Sequence, residues 1–233
     1  MGTLHLVRHG QASAFAKDYD KLSDIGEHQA RKLGDWFARK GIEVNAVFVG
    51  PRVRHVRTAE LAAEGARAAG AKWPAPEPLE DLDEARLDPL FGRAAELAAA
   101  HERLASAATP QAGVVELLTL WIGGELHRAQ TGVLAEVGRD LEPWSDFSQR
   151  ARRALDAMRA GPRGRRALAF TSGGPIAAML QLALRAPDQT ALDLMCALRN
   201  ASVSELTFSA TRLSVASFNA VPHLDLDEHL TLY

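Results

Sequence analysis

The order of elements along the chain predicts an α/β fold in three layers, with a mostly parallel central sheet and helices on both of its faces. Short apolar runs typical of buried strands alternate with segments whose apolar residues recur at helical spacing. This alternation occupies both ends of the 233-residue chain and is interrupted between residues 79 and 145. We therefore predict a single domain over residues 1–233, in which residues 79–145 form a helical cap insertion.

The first part of the chain carries the alternation most clearly. Residues 3–7 form an apolar run that predicts the first strand. Ser23 opens a helical pattern, and Gly41 ends it. Residues 44–49 predict a second strand and residues 52–67 a second helix. Two strand–helix units in succession are typical of parallel strands covered by helices.

The middle of the chain departs from this pattern and the last part returns to it. Prolines between residues 73 and 78 require an extended backbone. The region that follows combines an Ala-rich helix over residues 93–108 with segments punctuated by glycine. The later predicted elements are a helix over 147–158, a strand over 166–171, a helix over 175–184 and a terminal hairpin of strands 203–208 and 213–218.

Composition and charge exclude several classes of protein. The net charge of −2 argues against binding to nucleic acid driven by electrostatics, and gives no reason to expect an anionic membrane surface as partner. No run approaches the roughly 18 apolar residues of a spanning helix, and the sequence opens without the basic and apolar segments of an export signal. Cys196 is the single cysteine, so an internal disulfide is impossible. We expect a cytoplasmic protein.

Glycine and polar residues follow three predicted strands at their carboxyl ends, where open α/β sheets bind ligands. Arg8, His9 and Gly10 end the first strand, Arg54 follows the second, and residues 171–175 (TSGGP) end a later one. A guanidinium offers a planar fork to phosphate oxygens, and a histidine near neutral pH can act as a nucleophile or an acid. These residues predict an anion site. The alternative is a surface ion pair for Arg8 and a structural hydrogen bond for His9.

Short segments in a fixed order add a resemblance to these observations. They are LVRHGQAS at residues 6–13, LSDIGEHQA at 22–30, GPRVRHVRTA at 50–59, LDE at 82–84, NAS at 200–202 and FNAVPHL at 218–224. Together they resemble the histidine phosphatase superfamily, also called the phosphoglycerate mutase-like family. The resemblance spans nearly the whole chain and is weakest from about residue 86 to 145.

The resemblance implies a metal-independent phosphomonoester hydrolase that needs no cofactor and acts on a small phosphorylated substrate. His9 would attack phosphorus and form a phosphohistidine, which water then cleaves. Arg8 and Arg54 would neutralise the oxygens of the transferring phosphoryl group. Glu84 would protonate the leaving alkoxide and later deprotonate water. Other acids lie near Glu84 and leave the identity of the proton donor open: Glu80, Asp81 and Asp83.

One departure from the family concerns Ser172. The family normally carries a second catalytic histidine before a glycine pair, and here Ser172 precedes Gly173 and Gly174. A hydroxyl can donate a hydrogen bond to phosphate but cannot supply a cation, and losing one positioned donor or charge can lower a rate by roughly 10²–10³. The consequence is slow turnover, a compensating cation, or a site that binds phosphate without hydrolysing it. Replacing Ser172 by histidine is expected to raise turnover if the pocket is otherwise intact.

Further residues belong to the predicted phosphate site or its surroundings. Ser172, Gln11 and Ser13 are expected to line it. Arg57 and His223 are candidates for a compensating cation, although a structural role is the better interpretation of each. Phe15 stands where some members of the family place an asparagine, and with an apolar cap it would favour a substrate with an apolar or aromatic body.

Several functions therefore stay open at this point. Phosphomonoester hydrolysis is the first, and a catalytically weak or inactive phosphate-binding, regulatory protein of the same fold is the alternative. A mutase is less favoured, because nothing resembles the longer recognition segments of mutases. A homodimer is left open.

Overall fold

The structure, a computed structural model, describes residues 1–12, 20–224 and 229–232. Its strands belong to one six-stranded sheet. They are β1 (Gly2–Arg8), β2 (Ala46–Val49), β3 (Pro76–Pro78), β4 (Arg166–Thr171), β5 (Val203–Phe208) and β6 (Leu213–Ala220).

Helices fill most of the chain between the strands. Helix α1 (Asp24–Arg39) lies between β1 and β2, and α2 (Val53–Ala68) lies between β2 and β3. Between β3 and β4 lie α3 (Asp88–Gly92), α4 (Ala94–Ala100), α5 (Glu102–Ala105), α6 (Pro110–Ile122), α7 (Glu125–Arg128), α8 (Gly132–Asp140) and α9 (Trp144–Arg159). After β4 follow α10 (Gly173–Leu184) and α11 (Gln189–Ala197).

The sheet is mostly parallel, as predicted. Its strand order is β3-β2-β4-β1-β5-β6. The pairs β2–β3, β2–β4 and β1–β4 are parallel, whereas β5 runs antiparallel to β1 and to β6. Because β1, β2 and β4 are parallel neighbours, their carboxyl ends meet at one edge of the sheet, and the terminal hairpin of β5 and β6 is confirmed.

Both faces of the sheet are covered. Val7, Leu168 and Phe170 pack against α1 and α2 on one face, through side chains such as Leu33. Their strand neighbours face the other way, since side chains alternate along a strand. That second face joins apolar residues of α9, α10 and the helices between β3 and α9 in one cluster, including Leu6, Ala169, Phe147 and Ile176. The predicted three layers are confirmed by these two clusters.

The predicted helix over residues 93–108 is wrong in one respect. The chain is helical over Ala94–Ala100 and again over Glu102–Ala105, but His101 between them has an extended backbone. Leu97 and Leu104 are buried on either side of this break and belong to the same apolar cluster. The assignment of residues 79–145 to a cap insertion within a single domain stays a prediction.

Within the described part of the chain, none of the helices combines the length and the apolar character required to cross a membrane.

His223, which follows β6, is a buried imidazole close to Trp36 of α1, with 6.5 Å between the ring centroids. Burial lowers its pKa from the ordinary value of 6.5 to about 4. The unfolded chain therefore binds this proton more tightly, and stability present above pH 6.5 is lost as the pH falls toward 4. The full loss from this group is about 3 kcal/mol.

We predict that His223→Leu flattens the fall in the free energy of unfolding between pH 7 and 4.5, measured by urea denaturation. If the free energy of unfolding falls equally with pH in the variant and in wild type, the prediction is wrong.

Candidate active site

The carboxyl ends of β1, β2 and β4 lie side by side. Arg8 is paired with Thr171 in the register of β1 and β4, and Val49 is paired with Phe170. The alignment continues past the strands, because the His9 amide donates to the Thr171 carbonyl at 2.9 Å. The segments that the sequence singled out at three strand ends therefore meet in one place.

His9 is the central side chain of this edge. Its Nδ1 lies 2.7 Å from the carbonyl oxygen of Gly10, and a carbonyl can only accept a hydrogen bond. The proton must therefore be on Nδ1, which leaves a lone pair on Nε2. Burial lowers the pKa of His9 well below 6.5, and the charges of Arg8 and Arg54 lower it further. The imidazole is consequently uncharged at neutral pH, with a nucleophilic nitrogen.

Two arginines adjoin His9, and hydrogen bonds hold each guanidinium in place. Arg54 lies in the first turn of α2 and is buried. Its Nη1 donates to Asp20 at 2.7 Å and its Nη2 donates to Ser172 Oγ at 3.2 Å. Arg8 Nη1 donates to the backbone carbonyls of Leu198 and Leu232. Fixed guanidiniums of this kind are suited to an anion because little side-chain freedom remains to be lost on binding.

Glu84 approaches the same edge from the loop after β3. Its carboxylate accepts hydrogen bonds from the amides of Ala85 at 2.8 Å and of Gly174 at 3.2 Å. Gly174 lies in the first turn of α10, and a Cβ there would lie only 2.1 Å from Glu84 Oε1. Glycine at 174 is thus required for this close approach.

The loop that carries Glu84 is anchored to the sheet and to α9. The Thr171 hydroxyl donates to the Leu82 carbonyl at 2.6 Å, and Arg150 Nη1 donates to the Asp83 carbonyl at 2.7 Å. Arg52 Nε donates to the Asp83 carboxylate at 2.5 Å. These bonds fix the distance of Glu84 from the end of β4.

These side chains line a single cavity of about 430 Å³. One end is charged and is formed by Arg8, His9, Arg52, Arg54 and Glu84. The rest of the wall is mainly apolar, although Asp88 also borders it; its apolar members are Ala85, Leu87, Phe91, Leu118, Trp121, Met195 and Leu232. The cavity can accept an anionic group at one end and an apolar group beside it.

The structure brings four of the predicted site residues to this cavity: His9, Arg8, Arg54 and Glu84. Ser172 is buried directly behind Arg54. The Gln11 side chain instead accepts a hydrogen bond from Ser23 at 2.8 Å, and its part in phosphate binding stays a prediction. Ser13 and Phe15 lie outside the described residues.

Neither candidate for a compensating cation reaches the cavity lining. Arg57 forms ion pairs with Glu27 at 3.2 Å and with Glu60 at 3.3 Å. His223 lies against Trp36 on the face covered by α1. Within the described ranges, no group of three or more His, Cys, Asp or Glu side chains is arranged to hold a metal ion.

Two residues of this region escaped the sequence analysis. Arg52 lines the charged end of the cavity. His55 is fully buried, with its Nε2 2.6 Å from Ser172 Oγ and its ring centroid 5.8 Å from that of His9. The available signal was position, because both residues lie in the GPRVRHVRTA segment that surrounds Arg54.

Solved structures of low sequence identity share this fold. Phosphoglycerate mutase from Bacillus anthracis str. Sterne superposes with a TM-score of 0.67 and 19% identity, over 95% of this chain and 94% of that one. A mutant phosphoserine phosphatase from Entamoeba histolytica, in complex with phosphoserine, gives a TM-score of 0.65 and 18% identity, over 96% and 100% of the two chains.

A curated relative and a family model extend the comparison to sequence. The 2,3-bisphosphoglycerate-dependent phosphoglycerate mutase of Caulobacter vibrioides is 40% identical over 73 residues, which cover 29% of this chain and 31% of that relative. The model of the histidine phosphatase superfamily (branch 1) matches residues 4–117 and 119–221. With nearly the whole chain matched and the fold shared, this protein belongs to the histidine phosphatase superfamily.

Proposed function

We propose that the protein hydrolyses small phosphomonoesters through a phosphohistidine on His9, without a metal ion. The observation that carries the proposal is the contact of His9 Nδ1 with the Gly10 carbonyl oxygen at 2.7 Å. The Nδ1–H of His9 is committed to the Gly10 carbonyl, so Nε2 presents a lone pair to a cavity whose charged end holds Arg8 and Arg54. A neutral nucleophile beside fixed cations fits an anionic phosphorus centre better than it fits any uncharged electrophile.

In the first step, the lone pair of His9 Nε2 forms a bond to phosphorus while the bond from phosphorus to the ester oxygen breaks. The departing oxygen takes a proton from the carboxyl group of Glu84 and leaves as an alcohol. Arg8 and Arg54 stabilise the negative charge on the phosphoryl oxygens. This stabilisation raises the rate because it is greater in the transition state than in the bound substrate.

In the second step, Glu84 takes a proton from a water molecule as that water attacks phosphorus. The bond between phosphorus and Nε2 breaks, and its electron pair returns to His9. Inorganic phosphate leaves, and Glu84 is again protonated for the next substrate. One carboxyl group thus serves as acid in the first step and as base in the second, because the proton that it gives to the leaving group is replaced by one from water.

Relatives support this class of reaction. The superfamily and the similar structures include phosphatases as well as mutases, and one of the phosphatases is in complex with phosphoserine. A mutase returns the phosphoryl group to a second substrate oxygen, which needs polar groups for both substrates. The largely apolar wall here favours water as acceptor. The cytoplasmic location and a homodimer stay predictions.

The apolar wall also bears on the substrate. Phe91 and Leu118 face the cavity beside the charged end, and Asp88 would repel a substrate carboxylate. We propose a phosphomonoester whose alcohol has an apolar or aromatic body.

The first experiment compares wild type with His9→Ala, using p-nitrophenyl phosphate. We predict that the substitution lowers kcat by at least about a thousandfold, because the nucleophile is lost. Rapid quenching of wild type with labelled substrate should trap a label that is stable to alkali and labile to acid, as a phosphoramidate is. The His223→Leu variant, which alters a buried imidazole away from the cavity, is the matched control and should retain both signals.

Other outcomes of this experiment would decide against hydrolysis. Equal activity in wild type and His9→Ala would place the chemistry elsewhere. If neither protein turns over while inorganic phosphate raises the melting temperature of wild type, the protein is the silent phosphate-binding alternative.

The role of Glu84 predicts a dependence on the leaving group. Glu84→Gln cannot donate a proton, so kcat/KM, which reports the first step and not the later hydrolysis of the phosphohistidine, should fall by roughly 10²–10⁴ with an alkyl phosphate and much less with p-nitrophenyl phosphate, whose leaving group needs no proton. Gly174→Ala should reproduce this pattern more weakly, since its Cβ displaces the Glu84 carboxylate. Equal losses on both substrates would rule Glu84 out as the acid.

The apolar wall predicts a preference among substrates. Phenyl and naphthyl phosphates should exceed glycerol phosphate and 3-phosphoglycerate in kcat/KM by tenfold or more, because burying an aromatic ring contributes about 1.5–3 kcal/mol. Phe91→Ala should reduce kcat/KM for the aryl substrates and leave ethyl phosphate unaffected. Preference for 3-phosphoglycerate would contradict the proposal.

A further inference from the structure

Three buried side chains behind the charged end form a chain of hydrogen bonds. His55 Nε2 lies 2.6 Å from Ser172 Oγ, and Arg54 Nη2 donates to the same oxygen at 3.2 Å. His55 and Ser172 are essentially inaccessible to solvent, and Arg54 is 6% exposed. A buried imidazole therefore contacts an arginine of the cavity through one hydroxyl.

The surroundings of His55 assign its proton. Its Nδ1 makes no hydrogen bond within the described part of the chain, and the backbone of Gly50 covers it closely, because a Cβ there would lie 2.4 Å from Nδ1. A buried N–H without a partner is rarer than a buried acceptor without one. The proton is therefore best placed on Nε2, which then donates to Ser172 Oγ. Burial, Arg54 and Arg52 also lower the pKa of His55 well below 6.5, so the ring is a neutral donor.

This arrangement orients the serine hydroxyl. Ser172 Oγ accepts from His55 Nε2 and from Arg54 Nη2, so both of its lone pairs are used and its own hydrogen remains to be donated. Ser172 is the residue before α10, yet its side chain makes no capping bond to that helix. The next residue, Gly173, lines the cavity together with His9 and Arg54. Among the described residues, Ser172 Oγ is hydrogen-bonded to His55 and Arg54 alone, so its hydrogen is not committed to a third partner.

We propose that His55 is a positioning residue for phosphoryl transfer, a role that rests on the function proposed above. By donating to Ser172 Oγ, His55 turns the serine hydrogen toward a phosphoryl oxygen and holds Arg54 against the same group. The ring of His55 also occupies the space beside position 172. The contact with His55 then explains the serine at position 172, because the imidazole comes from α2 instead of from the end of β4.

A double-mutant cycle in kcat tests the proposal. His55→Ala and Ser172→Ala should each lower kcat for p-nitrophenyl phosphate by roughly 10-fold to 100-fold. The double variant should be no slower than Ser172→Ala alone, because His55 acts through the hydroxyl. His55→Gln, whose amide nitrogen can replace Nε2 as donor, should recover most of the activity that His55→Ala loses, and it provides the test if the alanine variant does not fold.

An exchange of positions gives an independent test. Ser172→His alone should lower turnover, because a second ring at 172 would overlap the ring of His55. The sequence without the structure favours the opposite result, since His55 was not among the residues it singled out. His55→Ala combined with Ser172→His leaves room for one ring and should exceed both single variants in kcat.

The controls separate this inference from the proposed function. If His9→Ala abolishes turnover but His55→Ala and His55→Gln equal wild type in kcat, the positioning role is wrong and the function stands. Additive losses in the cycle, or no recovery by His55→Gln in a protein that melts at the wild-type temperature, also overturn the positioning role. Equal activity in wild type and His9→Ala overturns the function itself. His223→Leu should match wild type throughout.

Discussion

The hydrogen bond from His9 Nδ1 to the Gly10 carbonyl is the interaction on which the site depends. It decides which ring nitrogen carries the proton, and it joins two neighbouring residues at the end of β1. Burial is the main cause of the lowered pKa of His9, and the charges of Arg8 and Arg54 lower it further. The arginines that would bind an anion therefore also help to keep the nucleophile unprotonated.

Much of the fold and of the charged end could be predicted from sequence, because both follow local rules. The strand at Arg166–Thr171 is a mostly apolar and buried run, whereas β5 and β6 alternate apolar and polar residues, and both patterns are typical of strands. Parallel strands bring their carboxyl ends together, so Arg8, His9 and Arg54 had to be neighbours once the sheet was correct. Glu84 was harder, since its place depends on a loop anchored by Thr171 and Arg150.

What escaped prediction depends on contacts between distant residues. His55 looks like any polar residue near the start of a helix, and only its contact with a serine 117 positions later gives it meaning. The break at His101 also escaped prediction, since no glycine or proline marks it. The part of Gln11 in phosphate binding stays a prediction; its side-chain oxygen accepts a hydrogen bond from Ser23, the residue before α1.

The two ends of the cavity come from different parts of the architecture. The bonds described for His9, Arg8 and Arg54 come from the ends of strands and the loops beside them, whereas Phe91 and Leu118 belong to the helices between β3 and α9. Random libraries confined to those helices could therefore change which alcohols are accepted while the charged machinery keeps its geometry. In the same way, related chains can differ in the substrates they accept while they keep the same residues for phosphoryl transfer.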